Sequence, residues 1–407
     1  MSRFFMAMML CVAMFASFWA QAAEEQVETD CVPEGRVLLP ASNSWTTSVA
    51  LVKQLRDKRI VLLGEHHDNI EHHRWQLQMI TGLHVLNPNM VLGFEMFPRQ
   101  SQPVLDRWVA GELTEDEFLK QVKWAEYWSF DPALYLPMFH YARMNKIPMY
   151  ALNVNRSLIH KVGAEGWDKV PVAEQEGVSK PATASQGYKK MLSSVFMNHG
   201  TKHGADAAKT EAEAADPMAT ILADPGFNRF VESQSVWDRA MAEGIINGRQ
   251  KNQDAMMVAV MGSGHMMYHF GVPEQLVALG EPKPMALVPW DTEFECSYID
   301  NQFADAVIGL RVLRSSEKQP SERLRLGVYL EKGDRGVLIK KVVPGSLAEK
   351  NELKEDDMIT EMAGRSTTEV EQVIESVKSM QPGTWLPIKI QRGKNVFIEI
   401  VVKFPNK

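Results

Sequence analysis

From residue 59 onward, short apolar runs alternate with longer stretches of helical periodicity. RIVLLG (59–64), MVLGFEMF (90–97), IPMYALN (147–153), MMVAVMG (256–262) and PMALVPW (284–290) predict strands. NIEHHRWQLQMITGLHVLN (69–87), DPALYLPMFHYARMN (131–145) and FNRFVESQSVWDRAMAEGIINGR (227–249) predict helices between them, with more helix around PVLDRWVAGEL, TEDEFLKQVKW and MMYHFGVPEQLVALG. Strands that are apolar throughout, separated by helices, imply a parallel sheet buried on both faces. Residues 40–300 therefore read as an α/β domain, a parallel or mostly parallel sheet flanked by helices.

Two stretches break the rhythm. Residues 163–222 include the alanine- and charge-rich GADAAKTEAEAADPMA, which lacks an apolar stripe and reads as a solvated insertion or a lid. Residues 301–321 run into the polar RSSEKQPSER and read as a linker. Beyond it, 322–405 alternate short strands with two helices, a self-contained small α+β domain.

Polar residues cluster where the apolar strands stop. Gly64-Glu65-His66-His67 follow the first run, Glu95 closes the second, Asn153, Asn155 and Arg156 follow the third, and Gly262-Ser263-Gly264-His265 follow the fourth. In a parallel sheet all carboxyl ends point one way, so these clusters converge on one rim, where open α/β sheets bind ligands. Imidazole and carboxylate suit Zn, Mn or Fe, with His67, His265 and Glu95 as ligands and Glu65 or Glu95 as general base towards metal-bound water. His66 and His67 stay interchangeable at this level, and His72 and His73 read as solvated or supporting. Gln234 and Asp238, four apart, share a helix face that can reach the same pocket. Against this, a lone Gly-x-x-His is a weak signal, since histidine and asparagine also cap helices.

Composition changes little in that picture. Hydrophobic residues make up 45% and charged ones 23% of 407, as in folded globular proteins. A net charge of −7 without a long basic run excludes an electrostatic footprint for nucleic acid. Residues 1–22 read as a signal peptide, with Arg3, an apolar stretch from Phe4 to Trp19 and Ala20-Gln21-Ala22. Met8-Met9-Leu10 before Cys11 lacks the small residues of a lipobox, so the expected location is periplasmic or envelope-associated without a lipid anchor. That leaves Cys31 and Cys296, enough for one disulfide in an oxidising compartment, although spacing alone cannot pair them.

Five motifs in order, VLLGEHHDNIEHHRWQ, VLGFEMFPRQSQPVLDRW, MYALNVNR, QSVWDRAM and VMGSGHMMYHFGVP, resemble the ChaN family of haem-binding uptake proteins, within the Tiki/TraB/erythromycin-esterase superfamily. The resemblance implies a pocket lined by His67, His265 and Glu95, with Glu65 and Asn155-Arg156 beside them; by its chemistry Arg156 suits a substrate carboxylate or a haem propionate. It also implies haem held through a tyrosine. Tyr268, Tyr135 and Tyr127 are the candidates, with His269 as a further axial donor. Haem or iron is the ligand that the resemblance favours. A metal-dependent peptidase or esterase is what the pocket chemistry alone favours. A homodimer is left open.

In the last domain, Leu326-Gly327-Val328-Tyr329 and the succession PGSLAEKNELKEDDMI resemble an HtrA-type PDZ domain. That resemblance implies capture of a protein or peptide C-terminus by the N–H groups of residues 326–329, the peptide adding as a strand. Glu352 and Glu355-Asp356 stand where the pattern has glycines, so the turns there are expected to depart from it.

Overall fold

The computed structural model describes residues 31–200, 217–253, 255–292, 294–311, 324–380 and 382–405. The signal-peptide stretch 1–22, residues 201–216 of the insertion and residues 312–321 of the linker lie outside the described residues. The chain divides into two compact units at about residue 313.

The first unit carries one sheet of eight strands: β1 Val37–Leu39, β2 Ser44–Thr46, β3 Ile60–Leu63, β4 Met90–Pro98, β5 Met149–Asn153, β6 Met256–Val260, β7 Met285–Asp291 and β8 Ala306–Leu310. Their order is β2-β1-β8-β7-β3-β6-β4-β5. From β8 to β5 every neighbouring pair is parallel, and the antiparallel hairpin β1–β2 closes the β8 edge. All residues of β3, β4, β5 and β6 are buried. Alternation explains why: Val61, Leu63, Val258 and Val260 enter one core, beside Trp75, Met79 and Phe139. Ile60, Leu62, Met257 and Ala259 enter the other, beside Met241, Ile245 and Leu276. Both faces are covered, so these strands are apolar on both faces until Glu95 and Asn153 near their carboxyl ends.

Two helices matter most to the rim. Ile70–Leu86 begins at Asn69, whose side chain accepts from the Glu71 N–H at 3.0 Å. Pro225–Lys251, 27 residues long, is capped by Asp224, which accepts from the Phe227 N–H at 2.8 Å. Gly244 lets this helix lie on the sheet: a Cβ there would come within 2.9 Å of the Leu152 Cα.

The five expected strands form where the pattern places them, but the domain is wider than 40–300. Ala306–Leu310, inside the expected linker 301–321, is β8, and Val37–Leu39 pairs with it. Most of the alanine-rich stretch of 163–222 lies outside the described residues, but the described part packs on the domain. Trp167, Val170 and Val178 pack with Val236 and Ala240 of the long helix, and Tyr188 and Leu192 with Phe227 and Val231. MMYHFGVPEQLVALG is helical only over Val272–Ala278. Before that the chain turns through Tyr268 and His269, both left-handed at φ 56° and 58°. Cys31 and Cys296 form a disulfide.

The second unit is an antiparallel sheet with strand order β14-β13-β11-β10-β9 and the short β12 beside β11. Its strands are β9 Val328–Lys332, β10 Val337–Val342, β11 Met358–Met362, β12 Arg365–Ser366, β13 Trp385–Arg392 and β14 Val396–Lys403. Val337, Ile339, Ile359, Ile388, Ile390 and Val402 form its core with the helix Val370–Lys378. Glu352 and Asp356 adopt left-handed backbone, φ 61° and 66°, so the turns keep a glycine-like conformation without glycine.

Candidate functional site: two carboxylate-backed histidines around Glu95

The carboxyl ends of β3, β4 and β6 sit side by side, and three side chains meet over them. Glu95, 1% exposed, accepts the Gly262 N–H at 2.7 Å and faces His265 Nε2 at 3.6 Å. His67 comes in from the β3 end. A Cβ on Gly262 would meet both its ring, 3.1 Å from Cε1, and Glu95 Oε2 at 3.7 Å, so a side chain there would press on the His67 ring. Asn153 donates to the Glu95 backbone carbonyl at 2.9 Å and fixes the end of β4 against β5.

Each imidazole is held from behind. His67 Nδ1 lies 2.7 Å from Glu65, and His265 Nδ1 lies 2.6 Å from Asp238. A carboxylate on Nδ1 fixes the tautomer with its proton there and leaves Nε2 as the donor atom facing the pocket. Burial works against the imidazolium of His265, but the charge of Glu95 and the Asp238 contact outweigh it and raise its pKa to about 9. His67 follows the same rule: burial opposes, Glu65 and Glu95 win, and its pKa is raised.

The supports are themselves fully engaged. Glu65 accepts from His67, from Tyr135 OH at 2.8 Å and from Gln76 Nε2 at 3.0 Å. Burial opposes its ionisation, yet these contacts hold its pKa below the ordinary value. Expected as a catalytic base, Glu65 lies behind His67 with its oxygens engaged by His67, Tyr135 and Gln76. Asp238 accepts from Tyr188 OH at 2.7 Å besides His265. Trp128 and Phe130 stand against the His67 ring at 4.8 and 5.1 Å, and Trp237 lies 5.4 Å from His265, an aromatic surround for both imidazoles.

His66 points elsewhere. Its Nδ1 lies 3.4 Å from Asp291, whose other oxygen receives His72 Nε2 at 3.0 Å. Among the described residues, His66, His72 and Asp291 bring their ligand atoms within 4.8 Å of one another. His72 Nδ1, however, accepts the His66 N–H at 2.8 Å, so both its nitrogens are committed and the trio is a brace, not a ligand set. His72 and His73 are buried rather than solvated. His73 reaches the His67 carbonyl at 3.1 Å.

The remaining candidates divide. Ser263 is buried beside Gly64, its hydroxyl unpartnered. Asn155 accepts from Gln100, which also bonds Tyr127 OH. Arg156 is exposed and Gln234 half-buried. Among the described residues no hydrogen bond or ion pair ties either to the pocket. Tyr135 is overturned as a haem ligand: it is fully buried, its hydroxyl donates to Glu65, and burial and that carboxylate push its pKa far up. Tyr268 donates to the Tyr298 carbonyl at 2.6 Å. His269 keeps an unpartnered Nδ1, 3.9 Å from Asp305. Gln76, Tyr188 and Asp291 were not foreseen. Glutamine two turns into a helix pattern and a tyrosine within an insertion carry no sequence signal of their own.

The family model described as haem-binding uptake, Tiki superfamily, ChaN, matches residues 51–276, more than half of the chain. The chain belongs to the ChaN family. The ChaN match spans β3 to the helix after β6 and so contains every residue of the His67–Glu95–His265 constellation. The ChaN of Campylobacter jejuni, solved with cofacially bound haem, shares the fold at 18% identity and a TM-score of 0.51, over 67% of this chain and 95% of that one. Nothing among curated proteins matches the chain.

A PDZ model matches residues 308–391, beginning inside β8 of the ChaN sheet. The HtrA3 PDZ domain, solved with a phage-derived ligand, aligns at 18% identity over 19% of this chain and 82% of its own, TM-score 0.18. A serine endoprotease from Yersinia pestis aligns at 22% over 20% of this chain and 28% of that one, TM-score 0.18. In this PDZ domain β9 is an edge strand. Val343 N–H donates to the Gly327 carbonyl at 2.8 Å, so Val328, one position on, turns its N–H and C=O to the open side. Leu326 is buried, Gly327 is left-handed at φ 79°, and Tyr329 is exposed.

Proposed function

We propose that the ChaN-family domain binds haem or iron and that the PDZ domain docks the carboxyl end of a partner polypeptide, the whole chain acting in the periplasm or envelope after export. Membership of a haem-binding family over residues 51–276 carries the haem reading. The donor set fits iron: imidazole backed by carboxylate suits it once the ligand displaces the Nε2 proton, and the aromatic surround of Trp128, Phe130 and Trp237 suits an apolar macrocycle. When bound, haem supplies the iron to be carried. The chain's own part is to hold His67 and His265 in one tautomer and to keep Nε2 towards the ligand. With Tyr135 excluded, Tyr268, Tyr127 and His269 remain as further axial donors. Titration of the purified chain with haem tests the reading: a shifted Soret band that weakens in His67→Ala and in one of Tyr268→Phe or Tyr127→Phe supports it. An unshifted band in the unaltered protein overturns it.

A metal-dependent hydrolase is the second reading, and one observation favours it: two carboxylate-backed imidazoles facing Glu95 suit a divalent Zn, Mn or Fe ion. In that case Glu95, not Glu65, is the residue next to the reacting water. Metal in the purified protein, with peptide or ester cleavage lost in His265→Ala, supports this reading. A metal-free, inactive preparation with an intact Soret shift rejects it.

A further inference from the structure

The outer strand of the PDZ sheet, β14, pairs with β13 over eight residues without a bulge, from Trp385↔Lys403 to Arg392↔Val396. Among the described residues no strand pairs with its other edge. Folded proteins ordinarily blunt a long regular edge with prolines, bulges or inward charges. Here the edge stays regular and largely apolar, with Val396, Phe397 and Val401 at 56, 70 and 41% exposed, its charges being Glu399 and Lys403, the latter resting over the Trp385 ring at 4.6 Å.

The hydrogen-bond phase of that edge can be read. Phe404 N–H donates to the Thr384 carbonyl at 2.9 Å, so the 384/404 pair is bonded and 385/403, 387/401, 389/399 and 391/397 are not. Pro387 agrees, its carbonyl accepting from Ala363 on the opposite side at 2.9 Å. Phe397, Glu399, Val401 and Lys403 therefore turn their N–H and C=O groups to the open edge. On the exposed face a charge row crosses the sheet. Glu361 stands opposite Lys389, with 2.8 Å between their charged groups, and Lys389 stands opposite Glu399, where the row stops.

We propose that a second copy of this chain pairs antiparallel along β14, with the two Val401 residues facing each other across a twofold axis. In that register Glu399 faces Lys403 of the second copy, and the reverse, so the charge row continues across the junction. The backbone groups of Glu399, Val401 and Lys403 are all in phase to exchange bonds with their opposites. A slide that sets 399 opposite 401 keeps the backbone bonds but leaves Glu399 facing a valine and Lys403 facing Phe397. Charge complementarity thus selects one register. The joined sheet leaves both β9 edges at its outer ends, two peptide docks per dimer.

Cross-linking of the full-length chain tests the register. Treated with a short bifunctional thiol reagent, Val401→Cys yields a covalent dimer. Phe397→Cys, at an equally exposed site, does not, because two residues 397 would lie about 27 Å apart. In the Val401→Cys background, Glu399→Lys lowers the yield about tenfold and the double change Glu399→Lys/Lys403→Glu restores it. Sedimentation of Glu399→Lys, Lys403→Glu and the double variant, without cysteine, reads the same pattern should Val401→Cys fold poorly. Equal cross-linking at 397 and 401, no dimer from a folded Val401→Cys chain, or failure of the double change to rescue overturns the proposal. The last two outcomes leave the edge to another protein's strand.

Discussion

Asp238 Oδ1 lies 2.6 Å from His265 Nδ1, and the same carboxylate takes the Tyr188 hydroxyl at 2.7 Å through its other oxygen. The pair links three distant segments: the long helix, the turn after β6 and the insertion.

Asp238→Asn removes the charge but keeps an acceptor near Nδ1. His265 should then titrate well below about 9, and affinity for the pocket ligand, metal or haem iron, should fall roughly 10–100-fold. NMR titration of the imidazole and calorimetric binding check both. Tyr188→Phe should act in the same direction with a smaller effect.

The raised pKa of His265 also sets a pH dependence. A group that binds its proton more tightly when folded stabilises the fold below its unfolded pKa, and that contribution disappears as pH rises through its folded value. The ligand-free protein should therefore lose on the order of 2–3 kcal/mol between about pH 6.5 and 9. His265→Gln should flatten the curve. Thermal melts of both proteins across that range decide it. An ion bound at Nε2 competes with the proton, so metal affinity should rise with pH over the same window.

Glu352 has φ 61° without being glycine. A left-handed L-residue costs about 1–2 kcal/mol, part of which glycine returns to the flexibility of the unfolded chain. Glu352→Gly should raise the stability of the PDZ domain by about 0.5–1 kcal/mol, measured by urea unfolding followed at the PDZ tryptophan, Trp385. Asp356→Gly should gain less, because aspartate tolerates this region better.

The Cys31–Cys296 bridge closes a loop of 265 residues. Reduction, or Cys31→Ser, should lower stability by about 3–5 kcal/mol. Protection of β1–β2 against hydrogen exchange should be the first to go.

Much of this was legible in the sequence because parallel strands advertise themselves. Each is apolar throughout and ends abruptly on polar residues, so the shared rim, and with it His67, Glu95 and His265, follows from one geometric rule. The edges were not legible. β1 and β2 have three residues each, and β8 (AVIGL) sits just before polar linker-like sequence, so composition pulled the boundary too early. Choosing between His66 and His67 needed the turn after β3, which sends one ring to Glu65 and the other to Asp291. Tyr135 looked like a ligand only while its depth was unknown. Tyr188 went unseen because what marks it, the Asp238 contact 50 residues away, exists only in three dimensions.

The antiparallel seating of β1 on β8 bears on how the polypeptide is made. Val37 and Leu38 find their neighbours, Ile308 and Val307, only after some 270 further residues have emerged. Until then Val37, which ends up fully shielded, has only the three-residue β2 beside it. An early segment is thus fully seated only when the last strand of the layer has been made, and the sulfur link joins the stretch before β1 to the stretch before β8.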